Sequence, residues 1–481
     1  MKMKKKILSV AVLAALGAGS AQAVNMSTDG TGEVLVFPYF TVQGNEETLL
    51  SIVNTTDQGK AVKVRFREAY NTREVLDFHV YLSPYDVWVA KIQDSANGGA
   101  EVFTPDNSCT TMDNNPEVFR DLLFTDGGPT GIERTREGYF TVIEMATIVD
   151  MDLDNNGAQD YVHTAAGVPD NCAAIRQAWI NGTMTANSTV RGPEGGLFGT
   201  LGIINVQSGT EVTVPATVLE NFRTLPMHAE PGTLRPDWQD ADPVSVVVDS
   251  DSAAGTMTVY QDAWTAGEDA VSAVLMASSL LNEFSANPAT EASTAWIVTF
   301  PTKSKYVDPD PQFGPAVPPR APFTSIFDES AQGLLDGKAC EEVTITNWNR
   351  EEAQKEITGS TVSPRPPQAR VTLCYEANVI QFGDNSDVFS AANTESTLAT
   401  SGLPGVAGWT RIGFTSDPLH VLSGSNNSYA GLPVIGFKAT VLGNSNVGVG
   451  ASYAAAVNHA YERSVSGDGA VFQAGTASGV E

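Results

Sequence analysis

Apolar and polar residues alternate with a period of two along the first part of the chain. In Val62–Arg67 three apolar side chains alternate with three basic ones, and Leu76 and Phe78 share one face of the next run. Such alternation is typical of antiparallel strands with one buried face. Turn residues separate the runs at intervals of about ten residues, which favours immunoglobulin-like β-sandwich units. The run Val34–Phe40 contains Pro38, which predicts a strand at the edge of its sheet.

Two segments break this pattern and predict helices. Residues 170–180 offer Asp170 or Asn171 as an N-cap, followed by apolar residues at helical spacing. The segment Gly267–Phe284 has acidic residues in its first turn and an apolar stripe along one face, so we expect a helix over that whole range. The predicted fold class is mostly β, with antiparallel sandwich units and two or three helices.

The N-terminus predicts export. Lys2, Lys4, Lys5 and Lys6 precede the apolar run Ile7–Leu16, and Ala21-Gln22-Ala23 has the form of a cleavage site. This order is that of a bacterial secretory signal peptide. The rest of the chain has no apolar run long enough to span a bilayer, so we expect no integral membrane segment in the mature chain. The expected location is the periplasm or the extracellular cell surface, and the residues do not choose between them.

Composition suggests how the chain is divided. We expect a signal peptide at 1–23, a β-sandwich domain at 24–150, a mixed β/α region at 151–306, a proline-rich segment at 307–323 and a C-terminal β domain at 324–481. Six prolines between Val307 and Phe323 make that segment stiff and extended. It serves either as a linker between two halves or as a long loop across one compact domain.

Charge and cysteine content narrow the partners and the chemistry. The 481 residues include 28 basic and 56 acidic residues, a formal net charge of −28. This balance argues against nucleic acid and against anionic lipid as partners, and leaves surface contact or self-association open. The four cysteines that follow the signal peptide predict two disulfides in an oxidising compartment. Short loops favour pairing Cys109 with Cys172 and Cys340 with Cys374.

The acidic run at 150–160 is the strongest local signal for a site. With Asp152 as position one, Asp154, Asn156 and Asp160 fall at positions three, five and nine of a calcium-binding loop, and the carbonyl of Ala158 falls at seven. Oxygen ligands of this kind suit Ca²⁺ in a structural role.

Two features of this run leave its interpretation open. Position twelve is His163, where a complete loop of this type has Glu, so a remote acid must complete the shell, with Glu144 and Asp150 as candidates. The alternative is an acidic turn without an ion.

Catalytic motifs are missing from the sequence. It contains no GxSxG, HExxH, GxxxxGK[ST] or strand-following GxGxxG pattern. The histidines show no paired spacing, so we expect them at surface or polar-face positions: His79, His163, His228, His420 and His459. We therefore interpret the chain as a non-enzymatic surface, matrix or binding component. The alternative is a secreted, glycan-directed hydrolase whose acid pair the sequence does not reveal.

Three segments carry a family resemblance. Thr48–Ala90, Trp296–Lys303 (WIVTFPTK) and Gly431–Phe437 (GLPVIGF) resemble a group of uncharacterised exported bacterial proteins. The resemblance extends over most of the mature chain, and it implies neither an activity nor functional residues.

Overall fold

The computed structural model describes residues 23–184, 189–251, 255–308, 319–327, 337–357, 371–384, 387–390, 395–398, 402–444, 446–448 and 451–473. Residues 1–22 of the predicted signal peptide and 309–318 of the proline-rich segment lie outside this part. The prediction of a mostly β fold with antiparallel sandwich sheets is confirmed, and the described residues include three α-helices.

Two large sheets form the first sandwich. Sheet A has eight strands: Asn25–Met26, Thr217–Glu220, Val34–Thr41, Glu137–Ile148, Lys60–Glu68, Glu74–Leu82 and Cys109–Thr110 in spatial order, with Val190–Arg191 paired to Glu137–Ile148. Sheet B has six: Thr210–Pro215, Leu197–Asn205, Glu46–Asn54, Val87–Asp94, Ala100–Phe103 and Glu117–Val118. Alternate apolar residues of both sheets face one core, where the rings of Phe37 and Phe140 stack at 4.3 Å and Phe78 meets Trp88 at 5.8 Å.

Two five-stranded sheets follow in the second half of the chain. Sheet C orders Gln354–Ile357, Thr344–Asn349, Ala407–Gly413, Ser279–Ser285 and Ala460–Glu462. Sheet D orders Glu395–Leu398, Ala377–Phe382, Ala292–Thr299, Ile435–Leu442 and Tyr453–Asn458, and its first pair is parallel. The central strand of sheet D, Ala292–Thr299, is buried on both faces: Ala295 and Ile297 join the core of sheets A and B, whereas Trp296 and Val298 join a second core.

Smaller sheets complete the β structure. Sheet E contains Val244–Asp251, Thr256–Ala263 and Ala470–Gln473, and sheet F contains Val421–Ser423, Asn427–Ala430 and Ser464–Gly467. Two-stranded pairs join Met276–Ala277 to Leu432–Pro433 and Glu341–Glu342 to Thr372–Leu373. Because both large cores draw on strands from separate parts of the chain, the domain limits at 150, 306 and 323 stay predictions.

The helices agree with the sequence in one case and differ in another. Helix α1, Cys172–Ile180, is capped by Asn171, whose side chain accepts a hydrogen bond from the Ala174 N–H at 3.2 Å. Helix α2 covers only Gly267–Leu275, so the prediction of a helix to Phe284 was wrong beyond Leu275. Ser279–Ser285 pairs with Ala407–Gly413 instead, because sheet pairing overrides local helical spacing. Helix α3 is the short Ser304–Val307, and 3₁₀ turns occupy Gln43–Asn45, Ile132–Arg136, Trp238–Asp240 and Pro288–Thr290.

Pro38 does not mark an edge. Its strand lies inside sheet A, between Thr217–Glu220 and Glu137–Ile148. The pairing with Glu137–Ile148 shifts between Gly138 and Phe140, so Pro38 sits at a bulge, where a missing N–H does not interrupt the ladder.

Sheet A also buries charge. Lys63, Arg65 and Arg67 are almost fully buried, although the alternating pattern predicted a half-solvated polar face. A second cluster surrounds Arg134, whose guanidinium donates to the carboxylates of Glu68 and Asp126, both fully buried. These ion pairs join the end of the strand Lys60–Glu68 to Asp126 and to the 3₁₀ turn Ile132–Arg136.

Candidate functional site

The acidic run lies in the long connection between the strand Glu137–Ile148 and helix α1. Its first turn is organised by Asp152, whose two carboxylate oxygens accept the N–H groups of Asn156 at 2.9 Å and Gly157 at 2.8 Å. Gly157 has φ +89°, in the left-handed region where glycine is unstrained. Asp152, one of the predicted calcium ligands, therefore accepts hydrogen bonds from backbone N–H groups of the turn.

Three carboxylates converge beside this turn. Asp154, Asp160 and Asp170 each place one oxygen within 4.8 Å of the others, with Asp160 buried and the other two exposed. The amide of Asn156 donates to Asp170 at 2.7 Å, and that of Asn171 donates to Asp154 at 2.8 Å. The cluster thus ties the acidic run to the residues that begin helix α1.

Asp160 is the most informative member of the cluster. Its side chain is fully buried, and its Oδ2 accepts the Leu153 N–H at 2.8 Å. Its Oδ1 is buried and has no hydrogen-bond partner among the described residues. Burial raises the pKa of Asp160, and the neighbouring carboxylates of Asp154, Asp152 and Asp170 raise it further. A divalent cation would both bind the free oxygen and offset this repulsion.

The structure places the five predicted calcium ligands in different surroundings. It brings Asp154 and Asp160 together with Asp170, which sequence reasoning missed. The oxygen of Asn156 accepts the Ala158 N–H at 2.8 Å, and ligation by the Ala158 carbonyl stays a prediction.

The predicted completing acids lie elsewhere. Glu144 is fully buried in an ion pair with Lys60 at 2.9 Å, and Asp150 accepts the Gln159 amide at 2.9 Å. His163, at position twelve, places Nδ1 2.9 Å from the Ser83 hydroxyl. The acid that joins the cluster is therefore Asp170, beyond the twelve-residue window. Its position just before the N-cap of a predicted helix was the available signal.

A disulfide fixes the same region. The predicted pairs Cys109–Cys172 and Cys340–Cys374 are both confirmed. Cys172 is the first residue of helix α1, and Cys109 Sγ lies 3.8 Å from the carbonyl oxygen of Asp160. The covalent bond therefore holds the helix end of the acidic connection against sheet A, from which its other end starts at Ile148.

The histidines are not at the surface, with the exception of half-exposed His163. His79, His228, His420 and His459 are buried, so the prediction of surface positions was wrong for these four, although His79 does lie on the polar face of its strand, opposite Lys63. Both ring nitrogens of His79 are buried without a hydrogen-bond partner among the described residues, and burial lowers the pKa of this residue well below its usual value.

His420 differs from the other buried histidines. Burial lowers its pKa, but the Glu341 carboxylate, 2.9 Å away, outweighs this and raises the pKa overall. Both side chains of the pair are fully buried in the second half of the chain.

Two concave regions bear on the alternative of a glycan-directed hydrolase, which needs a pair of available carboxylates. A groove of about 380 Å³ on the outer face of sheet B is lined by apolar residues such as Leu49, Val89 and Phe103, and its only acidic lining residue is Glu211. A smaller cavity of about 20 Å³ is lined by two acids, Glu74 and Asp237. Both are engaged in ion pairs with buried basic side chains. Neither region presents a free carboxylate pair.

Scans against protein-family models, curated proteins and solved structures found no match to this chain. In the described part of the chain, no helix has the length and apolar character needed to cross a membrane. The functional argument therefore depends on the acidic cluster and its surroundings.

Proposed function

We propose that this protein is an exported, non-catalytic β-rich component of the bacterial cell surface or matrix, and that the connection 150–172 binds one structural Ca²⁺ ion. Two disulfides in an antiparallel β fold support export to an oxidising compartment. The observation that carries the calcium proposal is the convergence of Asp154, Asp160 and Asp170, together with the buried Oδ1 of Asp160, which has no hydrogen-bond partner among the described residues.

The donor set favours calcium over other metals. Residues 150–172 contain five aspartates and neither lysine nor arginine, so the local charge is strongly negative. Carboxylate and amide oxygens suit hard cations, and His163 and the disulfide-bonded Cys172 offer no soft ligand to the cluster. Ca²⁺ accepts six to eight oxygens in flexible geometry, whereas Mg²⁺ demands a near-ideal octahedron. A partly exposed loop with several carboxylates fits the former.

A structural role follows from the position of the cluster. The ion would join the turn at Asp152–Gly157 to the start of helix α1, and the Cys109–Cys172 disulfide anchors the same helix to sheet A. Binding to the native state alone stabilises a protein by about 2.7 kcal/mol at a hundredfold excess over Kd. Calcium outside the cell would thus keep this connection folded.

Thermal unfolding of the mature chain tests the proposal. Excess Ca²⁺ should raise Tm by several degrees relative to excess EGTA, and Mg²⁺ should raise it less. Asp160→Asn and Asp170→Asn should abolish the response, whereas Asp249→Asn, in the hairpin of sheet E, should keep it. A wild-type Tm that does not differ between Ca²⁺ and EGTA would identify the run as a plain acidic turn. Cell fractionation tests export separately, since retention in the cytoplasm would contradict it whatever the ion does.

A further inference from the structure

The C-terminal residues 451–473, which we call the strap, supply one strand to each of four sheets. The strands Tyr453–Asn458, Ala460–Glu462, Ser464–Gly467 and Ala470–Gln473 stand last in the strand order of sheets D, C, F and E. All four pairings are antiparallel. The strap is therefore a continuous edge across four sheets.

Backbone pairing and a few partly buried side chains attach the strap: Ala454 and Ala456 pack against the first core and Val465 against the second. Among its side chains that the structure describes, only His459 is buried. Tyr453 is 67% exposed, Val457 54% and Val471 65%. Each backbone hydrogen bond contributes only about 1 kcal/mol net, so a strand held mainly by such bonds opens more readily than a core strand.

Three polar side chains of the strap contact the body: Glu462, which accepts from the Ser279 hydroxyl at 2.6 Å and pairs with Arg411, and the two anchors His459 and Arg463. His459 places Nε2 3.0 Å from the Ile297 carbonyl oxygen, and its ring centroid lies 4.6 Å from that of Trp296. Arg463 donates to the carbonyls of Met276 at 2.6 Å and Val274 at 2.7 Å, at the end of helix α2. Both anchors bind groups of the body that an identical strap from another molecule would meet in the same way.

The composition of the strap favours strand exchange. Natural edge strands are protected by lysine, proline or charge, but the strap contains neither lysine nor proline, and its charged residues are Glu462, Arg463 and Asp468. If the strap leaves, four sheet edges lose their partner at once. Residues 443–452, which connect it to sheet D, span at most about 33 Å when fully extended, and this length sets the reach of an exchanged strap.

We propose that the strap exchanges between copies of this chain, so that the strap of one molecule completes the four sheets of its neighbour. Because the exchanged segment is identical, each native contact forms again between molecules. Head-to-tail donation is a heterologous contact, which builds open chains when its rotation does not close a ring. The partner is therefore a second copy, and the linkage is independent of the calcium loop.

Disulfide trapping tests the exchange in the full mature chain. Ser428 and Ser466 lie opposite each other between the body and the strap, and all four native cysteines are paired. One tagged copy carries Ser428→Cys and a differently tagged copy carries Ser466→Cys. After co-incubation, we expect a disulfide-linked heterodimer on a non-reducing gel. A tenfold excess of a peptide spanning residues 451–473 should lower its yield at least fivefold.

Two controls interpret the outcome. A single chain with both substitutions should form the bond within the molecule, and a chain that fails to do so would overturn the placement of the strap. Gln207→Cys, exposed on sheet B, pairs with the Ser466→Cys copy to measure random collision. A heterodimer yield that does not exceed this background overturns the exchange and leaves the strap as an intramolecular clasp.

Discussion

Substitution of Arg134 by methionine should destabilise the protein severely. The Arg134 side chain is fully buried, and its guanidinium lies 2.9 Å from Glu68 and 2.9 Å from Asp126. It also lies over the ring of Phe124, 4.4 Å from the centroid. Methionine preserves much of the apolar stem but leaves two fully buried carboxylates without their main counter-charge.

The size of the effect follows from what remains. Removing one partner of a buried ion pair costs about 3–5 kcal/mol. After the substitution Glu68 keeps the backbone N–H groups of Tyr70, Asn71 and Arg73. Asp126 keeps the Asn71 amide at 2.7 Å and the more distant Arg73 guanidinium at 3.5 Å, so the two carboxylates share the cost. Although burial opposes it, Arg134, together with Asn71 and Arg73, lowers the pKa of Asp126 to about 2, which corresponds to about 2 kcal/mol of stability at neutral pH.

Urea unfolding at pH 7 measures the effect. Arg134→Met should lower the free energy of unfolding by about 4 kcal/mol, and adding Asp126→Asn should recover part of this loss, since one of the two buried carboxylates is then neutral. The exposed pair Arg176–Asp113 provides a matched control, and Arg176→Met should cost less than about 1 kcal/mol. A loss of similar size in the two arginine variants, or strictly additive losses in the double variant, would refute the reasoning.

Three further predictions concern other parts of the molecule. Burial lowers the pKa of His228 to about 4, so about 3 kcal/mol of stability present at pH 7 is lost as the pH falls from 6.5 to 4. His228→Gln should flatten this part of a profile of stability against pH. An unchanged slope would contradict the assignment to His228. Replacing either cysteine pair by alanine should lower the free energy of unfolding by about 4 kcal/mol in chemical unfolding. Only the loss of Cys109–Cys172 should weaken calcium binding measured by calorimetry. Equal weakening in the Cys340–Cys374 variant would show that calcium binding does not depend specifically on Cys109–Cys172. Gly138→Ala should lower the free energy of unfolding in urea by about 3 kcal/mol, because an added Cβ would lie 1.9 Å from the Arg67 carbonyl oxygen. An unchanged urea midpoint would show that the strand adjusts without loss of stability.

Local pattern predicted the strands of the first half well, but not what covers them. The alternation in Val62–Arg67 correctly placed Val62, Val64 and Phe66 in a core. It could not show that Pro236 and Asp237, about 170 residues later, cover the basic face and accept from Arg65 and Arg67. Burial of that face depends on a tertiary contact, which no local period records.

The end of the helix and the third carboxylate of the acidic cluster were missed for a similar reason. Gly267–Leu275 and the segment after it share helical spacing, but the second part pairs with a strand from residues 407–413. In the acidic run, the turn around Asp152 follows from sequence because its hydrogen bonds are local. Asp170 is held at the cluster by the Val162 carbonyl and the Asn156 amide, so the third carboxylate lay outside the motif.

The burial of the central strand of sheet D on both faces has a consequence for how the protein unfolds. Successive residues of Ala292–Thr299 belong to different cores, with Ile297 in the first and Trp296 in the second. Neither core can dissolve while this strand keeps its native register, and neither can persist once the strand is lost. Denaturation of the two cores should therefore be cooperative, with the fluorescence of Trp88 in one and Trp296 in the other changing at the same denaturant concentration.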